Sequence, residues 1–243
     1  MIILSISAEP IPDSRKEKTI EVSINGCKAS SPSGKSTGKF ETKPYRISLQ
    51  QSIKDIKSLS SDLNKLEINS FQDLQKVEFL IEKKFNLKSA KLFGANALFA
   101  LESAILKALS VSEKKPLWKI VNPNLKKRKI KFPTPLGNII GGGKHAHNSK
   151  KPTFQEFLII PQLNSISENV TLMNSIHSSL KSKLSSSKMS DESAWQTSLS
   201  EEEVFSLLFK ISQNKKIKIG TDIAASSFFR NGSYIYKNRK LSR

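Results

Sequence analysis

A single cysteine, Cys27, occurs in 243 residues, so no disulfide can form within the chain. That fits a reducing compartment and points to the cytoplasm. Acidic residues are scarce beside basic ones, 21 against 40, for a formal net charge of +19. Such an imbalance favours acidic partners such as phosphorylated substrates, and leaves nucleic acid open as a partner. A lysine-rich solvated surface with no specific partner accounts for the same charge. Aromatic residues make up only 7%, and just Phe132 stands near the one dense basic run, Lys126, Lys127, Arg128, Lys129 and Lys131. Nucleic-acid binders interleave stacking rings with their cations, so this run reads as a solvated linker. Long apolar runs are missing too. The best block, Ala95 to Leu109, is interrupted by Glu102 and Lys107, short of the roughly 20 apolar residues of a membrane helix. No membrane association is expected. The opening Ile2-Ile3-Leu4 has no basic flank and alternates with Ser5 and Ser7, which reads as a strand over Ile2 to Ala8 and not as a signal peptide.

Apolar residues reach only 37%, yet they recur in periodic blocks, which argues for folded structure. Thr19 to Ile24 alternates at period two, and Asn25-Gly26 follows as a strong hairpin signal. Cys27 to Ser30 is the expected return strand. Residues 31 to 46 form a polar loop carrying Pro32, Gly34, Gly38 and Pro44. Helical stripes follow at Leu49, Ile53, Ile56, Leu59 and Leu63, then at Leu74, Val77, Phe79, Leu80 and Ile81. Ala97, Leu101, Ala104 and Ala108 mark a third, small-sided helix. After the basic run the pattern changes. Phe154 to Ile160 is a short apolar strand candidate, Val170 to Leu184 and Glu201 to Ile211 read as helices, and Lys216 to Ile223 reads as a strand ending in Asp222. This succession predicts parallel α/β layers. The boundary falls near residues 122 to 132, giving expected domains 1–125 and 126–243.

Ala29 to Ser36 fits a loosened phosphate-loop pattern, with Gly34-Lys35-Ser36 at its end. A working phosphate loop needs a helix straight after it. Gly38 and Pro44 leave few turns, and Pro32 removes an amide from the cradle. Nucleotide binding through this loop is therefore the weakest reading.

The same loop, Ser33-Gly34-Lys35-Ser36-Thr37-Gly38, resembles the S-G-A-S-T-G loop of enolases, with Lys35 in place of Ala. Other matches follow in family order. Asp13-Ser14-Arg15 resembles D-S-R, Phe93 to Ala97 resembles L-G-A-N-A, and Asn138 to Ala146 resembles N-I-I-N-G-G-x-H-A. Gln155 to Ile159 resembles Q-E-F-M-I, Asp191 to Trp195 resembles D-E-G-x-W/F, and Gly220 to Ser226 resembles G-L-D-x-A-A-S.

The resemblance implies an α/β protein: an α+β capping domain followed by part of an enolase-type (β/α)8 barrel. It implies reversible dehydration of 2-phosphoglycerate to phosphoenolpyruvate with Mg2+. By position, Ser36 would ligate one magnesium and Asp222 another; His145 would contact substrate. Glu156 and Glu192 would be the paired carboxylates near the leaving hydroxyl, Glu192 assisting its departure as water. Enolases generally assemble as dimers or larger rings, so a homo-oligomer, or a complementary chain supplying the rest of the barrel, is the implied partner. Without the resemblance, Ser36 is a turn serine, and His145 and His147 are loop residues or a metal-binding pair. Glu156 could face solvent on alternate strand positions, and Glu192 sits in a polar segment. Asp222 in an apolar run would need a partner or a metal if buried.

The sequence also departs from the family pattern. Lys35 adds a charge to the loop, and Ser193 replaces a glycine where a positive φ would resist a side chain. The segment from His145 to Gln155 is two residues longer, and Gln196 occupies the usual alanine. About 110 of the 243 residues follow the linker, against about 250 in a whole (β/α)8 barrel. The resemblance puts two further magnesium carboxylates and the catalytic lysine beyond Asp222, where none can be assigned. Catalysis by this chain alone is thus not expected. The alternative is an inactive enolase-like binding protein whose basic surface holds an acidic partner.

Overall fold

A computed structural model of the chain describes residues 1–34, 37–124, 132–184, 188–190, 192–237 and 239–241. Two compact units form, Met1–Lys129 and Ile130–Arg243. Lys35, Ser36 and the whole basic run from Lys126 to Lys131 lie outside the described residues.

The first unit opens with an antiparallel sheet of β1 (Ile6–Pro12), β2 (Lys18–Ile24) and β3 (Cys27–Ser30). Asn25 and Gly26 turn the β2–β3 hairpin with φ of 49° and 81°, the two left-handed residues that a tight hairpin needs. The expected strand at Ile2 begins four residues late, and the cause is Asn25. Its side-chain oxygen accepts the Leu4 and Ser5 amides at 2.9 and 3.1 Å, so those groups are unavailable to a ladder. Ile2 makes only an isolated bridge to Glu67.

Helices α1 (Leu49–Ser58), α2 (Ser60–Leu63), α3 (Leu74–Phe85), α4 (Ala95–Ser112) and α5 (Leu117–Val121) complete the unit. Ser48 caps α1, accepting the Gln51 amide at 3.1 Å. Between Thr37 and Ser48 the chain forms no helix, so the phosphate-loop pattern lacks its required context. By length and composition α4 could cross a membrane, which corrects the expectation that no stretch comes close. Its small-sided face instead lies across β2 and β3. Ala97, Ala100, Leu101, Ala104, Ile105 and Leu109 are all fully buried there. Gly94 leads into this helix at φ 111°, and a Cβ there would stand 2.6 Å from the Tyr45 Cα.

The second unit is built on a four-stranded sheet, ordered β6-β4-β5-β7. The strands are β4 (Gly137–Gly141), β5 (Glu156–Pro161), β6 (Trp195–Gln196) and β7 (Ile217–Asp222). Helix α6 (Ile166–Lys183) follows β5 and α7 (Glu201–Ser212) follows β6. Both start with capping boxes, Ser165 with Glu168 and Ser200 with Glu203. Ile140, Phe157, Ile159, Leu180, Trp195 and Val204 form the core between sheet and helices. A small antiparallel sheet ends the unit: β8 (Phe229–Arg230), β9 (Ser233–Tyr236) and β10 (Arg239–Leu241).

The expectation of parallel layers is corrected here. β4 and β6 are parallel, but β5 runs antiparallel to both β4 and β7. An alternating apolar pattern carries no sign for strand direction, so the sequence could not reveal this reversal. The reversal sets the site. The C-terminal ends of β4, β6 and β7 share one rim with the N-terminal start of β5. Across that rim Gly141 pairs with Glu156, Glu156 with Asp222, and Gly141 with Gln196.

Candidate functional site

Three sequence-predicted residues meet on this rim. His145 Nδ1 lies 3.2 Å from a Glu156 oxygen and 2.9 Å from a Glu192 oxygen. The histidine is 3% exposed, whereas the Glu192 side chain is 39% exposed. One wall of the site is therefore dry and the other open to solvent.

Each residue is placed by its local backbone. His145 ends a short 3-10 turn after β4, closed by its amide bonding the Gly142 carbonyl at 2.8 Å. The glycines before it are a steric requirement. A Cβ on Gly142 would stand 2.3 Å from the Phe154 carbonyl oxygen, because the returning chain presses against it. In exchange, the Gly142 and Gly143 amides donate to Gln155 and Pro152, each at 2.9 Å. The Gln155 amide donates in turn to the Asp222 carbonyl at 3.0 Å, carrying the β5–β7 ladder one step past Glu156.

Glu192 comes from the turn before β6. Asn138 on β4 donates to its carboxylate at 3.3 Å. Ser193 follows at φ 61°, the left-handed conformation that its glycine-like position implies. His177 on α6 clamps the turn. Its Nε2 is 2.8 Å from the Ser193 carbonyl, its ring stacks on Trp195 at 5.2 Å, and its own carbonyl accepts the Trp195 indole N–H at 2.7 Å. Sequence reading missed Asn138 and His177 as supports. Asn138 stands in one of the family-like motifs, but nothing in its spacing ties it to Glu192.

The remaining predicted residues are not in this trio. Asp222 stands beside it on the rim and is exposed. Its Oδ1 accepts the Ala224 amide at 2.8 Å, so the burial that would demand a partner does not arise. Ser36 lies outside the described residues. Its neighbour Ser33 is where three of the family-like motifs converge: Arg15 donates to the Ser33 carbonyl at 2.7 Å, and the Asn96 side chain to its hydroxyl at 3.1 Å.

Two departures from the family pattern meet each other. The longer segment after His145 is tied to the β6 side by Gln196, whose Oε1 accepts the His147 amide at 3.4 Å. Asn148 donates to the Thr197 carbonyl at 2.8 Å. Gln196 is buried, and its amide nitrogen donates to Met189 at 3.1 Å, so both ends of the polar group are satisfied.

Electrostatically the rim is acidic. Burial raises the Glu156 carboxyl above its usual range, and the Glu192 charge pushes it further the same way, partly opposed by His145. A pair of close carboxylates with one raised can hold a proton that a lone surface glutamate would release. The arrangement can thus deliver or accept a proton beside a buried imidazole.

Residues 129–241 match the family described as enolase, C-terminal TIM barrel domain. Over 99% of its length the chain is similar to an enolase of Thermoplasma acidophilum, 32% identical and spanning 62% of that protein. An enolase of Picrophilus torridus is 33% identical over 88% of this chain and 55% of its own length. An enolase of Methanosphaera stadtmanae is 28% identical over the whole chain and 62% of its own length.

Proposed function

We propose that this chain, which belongs to the enolase family, supplies the leaving-group side of the dehydration of 2-phosphoglycerate to phosphoenolpyruvate. In this reading it serves a magnesium-dependent lyase of glycolysis and gluconeogenesis in the cytoplasm. The curated relatives are longer, this chain spanning 62% of the first of them. The proposal accordingly covers the leaving-group side of the reaction and not abstraction of the substrate proton.

The observation that carries it is the convergence of Glu156 and Glu192 on His145, at 3.2 and 2.9 Å. A hydroxyl leaves as water only if it is protonated as its bond to carbon breaks. Glu156, with its carboxyl raised by burial and by Glu192, keeps a proton available nearer neutral pH. Glu192, more exposed, delivers it to the departing oxygen. His145 gives the substrate's polar groups a fixed partner at the buried wall. Asp222 fits magnesium as one hard oxygen donor on the exposed rim, since that ion takes one or two carboxylates and completes its shell with water and substrate oxygens. Ser36 would add a hydroxyl from the loop. Bound there, magnesium would stabilise the charge of the enolate.

Titration of the 243-residue chain with 2-phosphoglycerate, with and without magnesium, tests the reading. Magnesium-dependent binding is expected, weakened at least about tenfold by Asp222→Asn, as loss of a charged ligand implies. Formation of phosphoenolpyruvate by the chain alone is expected to stay undetectable. Binding indifferent to magnesium and to Asp222 would sink the proposal. Turnover that disappears in Glu192→Gln would enlarge it, by showing that the chain assembles a complete site.

A further inference from the structure

The trio has a second property that proton transfer does not use. His145 is 3% exposed, and neither of its ring nitrogens has a hydrogen-bond partner among the described residues. A buried polar atom without a partner forfeits its hydration with nothing in return, so native proteins rarely leave one without a reason. Nδ1 is nonetheless only 2.9 and 3.2 Å from two carboxylate oxygens. The approach is close but lacks hydrogen-bond geometry. One ligand atom from each of His145, Glu156 and Glu192 lies within 4.8 Å of the other two.

These spacings match the edges of a coordination polyhedron. Metal–ligand bonds of about 2.1 Å to imidazole and carboxylate set adjacent donors about 3.0 Å apart in an octahedron and about 3.4 Å apart in a tetrahedron. Of the two measured edges at Nδ1, the 3.2 Å edge falls in that span and the 2.9 Å edge just short of its octahedral end. Two ionised carboxylates and a neutral imidazole carry a charge of −2, which a divalent cation offsets. An imidazole in the donor set selects against magnesium and calcium, which prefer oxygen alone, and in favour of zinc, manganese or cobalt. Three protein ligands with Glu192 on the open side leave room for water or a substrate oxygen.

We propose that His145, Glu156 and Glu192 form a binding site for one divalent transition cation of the zinc class, separate from magnesium at Asp222. Nδ1 is the ligating nitrogen, so the ring proton resides on Nε2. The site goes beyond the dehydration reading and stands without it: an ion there would occupy the carboxylates that otherwise handle the proton, and would inhibit that step.

The chain, stripped with chelator, is titrated with Zn2+ by calorimetry and with Co2+ by visible absorption, in the absence of any substrate. One ion per chain is expected, with a cobalt d–d band. Glu192→Gln, isosteric and on the exposed side, is expected to weaken Zn2+ binding at least about tenfold with an unchanged circular dichroism spectrum. His147→Ala, which removes the exposed histidine two residues away, is expected to bind as the parent does. Absence of stoichiometric binding, equal affinity in Glu192→Gln, or loss of binding in His147→Ala would each overturn the proposal. None of these outcomes depends on 2-phosphoglycerate, so the dehydration reading stands or falls separately.

Discussion

Glu156, the first residue of β5, pairs directly with Asp222, the last residue of β7. Two carboxylates facing across a ladder repel, and the Asp222 charge contributes to the raised Glu156 carboxyl, after burial and Glu192. An acid raised in the folded state destabilises the fold above its unfolded pKa and has no effect once protonated. Glu156→Gln is therefore expected to raise stability at pH 8, by less than about 1 kcal/mol given its solvent access. The gain should vanish as pH falls below the ordinary glutamate range. Urea unfolding at pH 8 and pH 4, followed by tryptophan fluorescence, checks this; an equal gain at both would refute the electrostatic origin.

Ser193 sits at φ 61° in the turn that carries Glu192. A side chain in that conformation costs about 1 kcal/mol relative to glycine. Ser193→Gly should raise the urea midpoint accordingly. The His177 contact to the Ser193 carbonyl is a backbone interaction and survives the change, so the tryptophan spectrum should stay the same.

Glu201 is the opposite kind of acid. Burial pushes its carboxyl up, but hydrogen bonds from Thr153 and the pairing with Lys237 outweigh this and hold it at about 2. Its oxygens anchor the Thr153 amide and lie 3.0 Å from the Lys237 Nζ. A depressed acid stabilises the fold above its unfolded pKa, and that contribution disappears as pH falls through the folded value. Glu201→Gln is expected to lose about 1–3 kcal/mol at pH 7. The difference should narrow steadily between pH 4.5 and pH 2, as measured by unfolding across that range.

In the first unit, Glu102 on α4 is raised to about 7, by burial first and then by its hydrogen bond and charge contact with Glu78. The destabilisation is complete above that pH and absent below the unfolded value of 4.5. After allowance for screening, Glu102→Gln should add about 1–2 kcal/mol at pH 8 and nothing at pH 4. A pH-independent gain would mean that packing, and not charge, is responsible.

What could be read in the sequence was local. The Asn25-Gly26 turn, the small-sided α4 and the strained backbone at Ser193 each arise from a residue type acting on its own φ or its own face. The trio was legible only through motif resemblance, because His145, Glu156 and Glu192 are brought together by tertiary structure. Features that depend on a distant partner escaped. Leu4 and Ser5 look like strand residues until Asn25 takes their amides. Glu102 looks like a break in an apolar block, whereas Glu78 makes it half of a carboxyl pair. Gln196 looks like a misfit, whereas the lengthened His145 segment gives it His147 to hold.

The reversal of β5 also decides where this protein can tolerate change in length. On β4 and β7 the chain reaches the rim before turning away, so the loop after each of these strands is free to build the site, while Glu192 comes from the turn before β6. Glu156 arrives at the rim first and leaves it along the strand. Its approach is thus set by the stretch from Ala146 to Gln155, and an added residue there displaces a carboxylate. An added residue between Pro161 and α6 falls at the far end of the sheet. Of the two connections flanking β5, insertions are expected to accumulate in the second without effect on the rim. In the first, each would require a compensating contact of the kind that Gln196 and Thr197 already make.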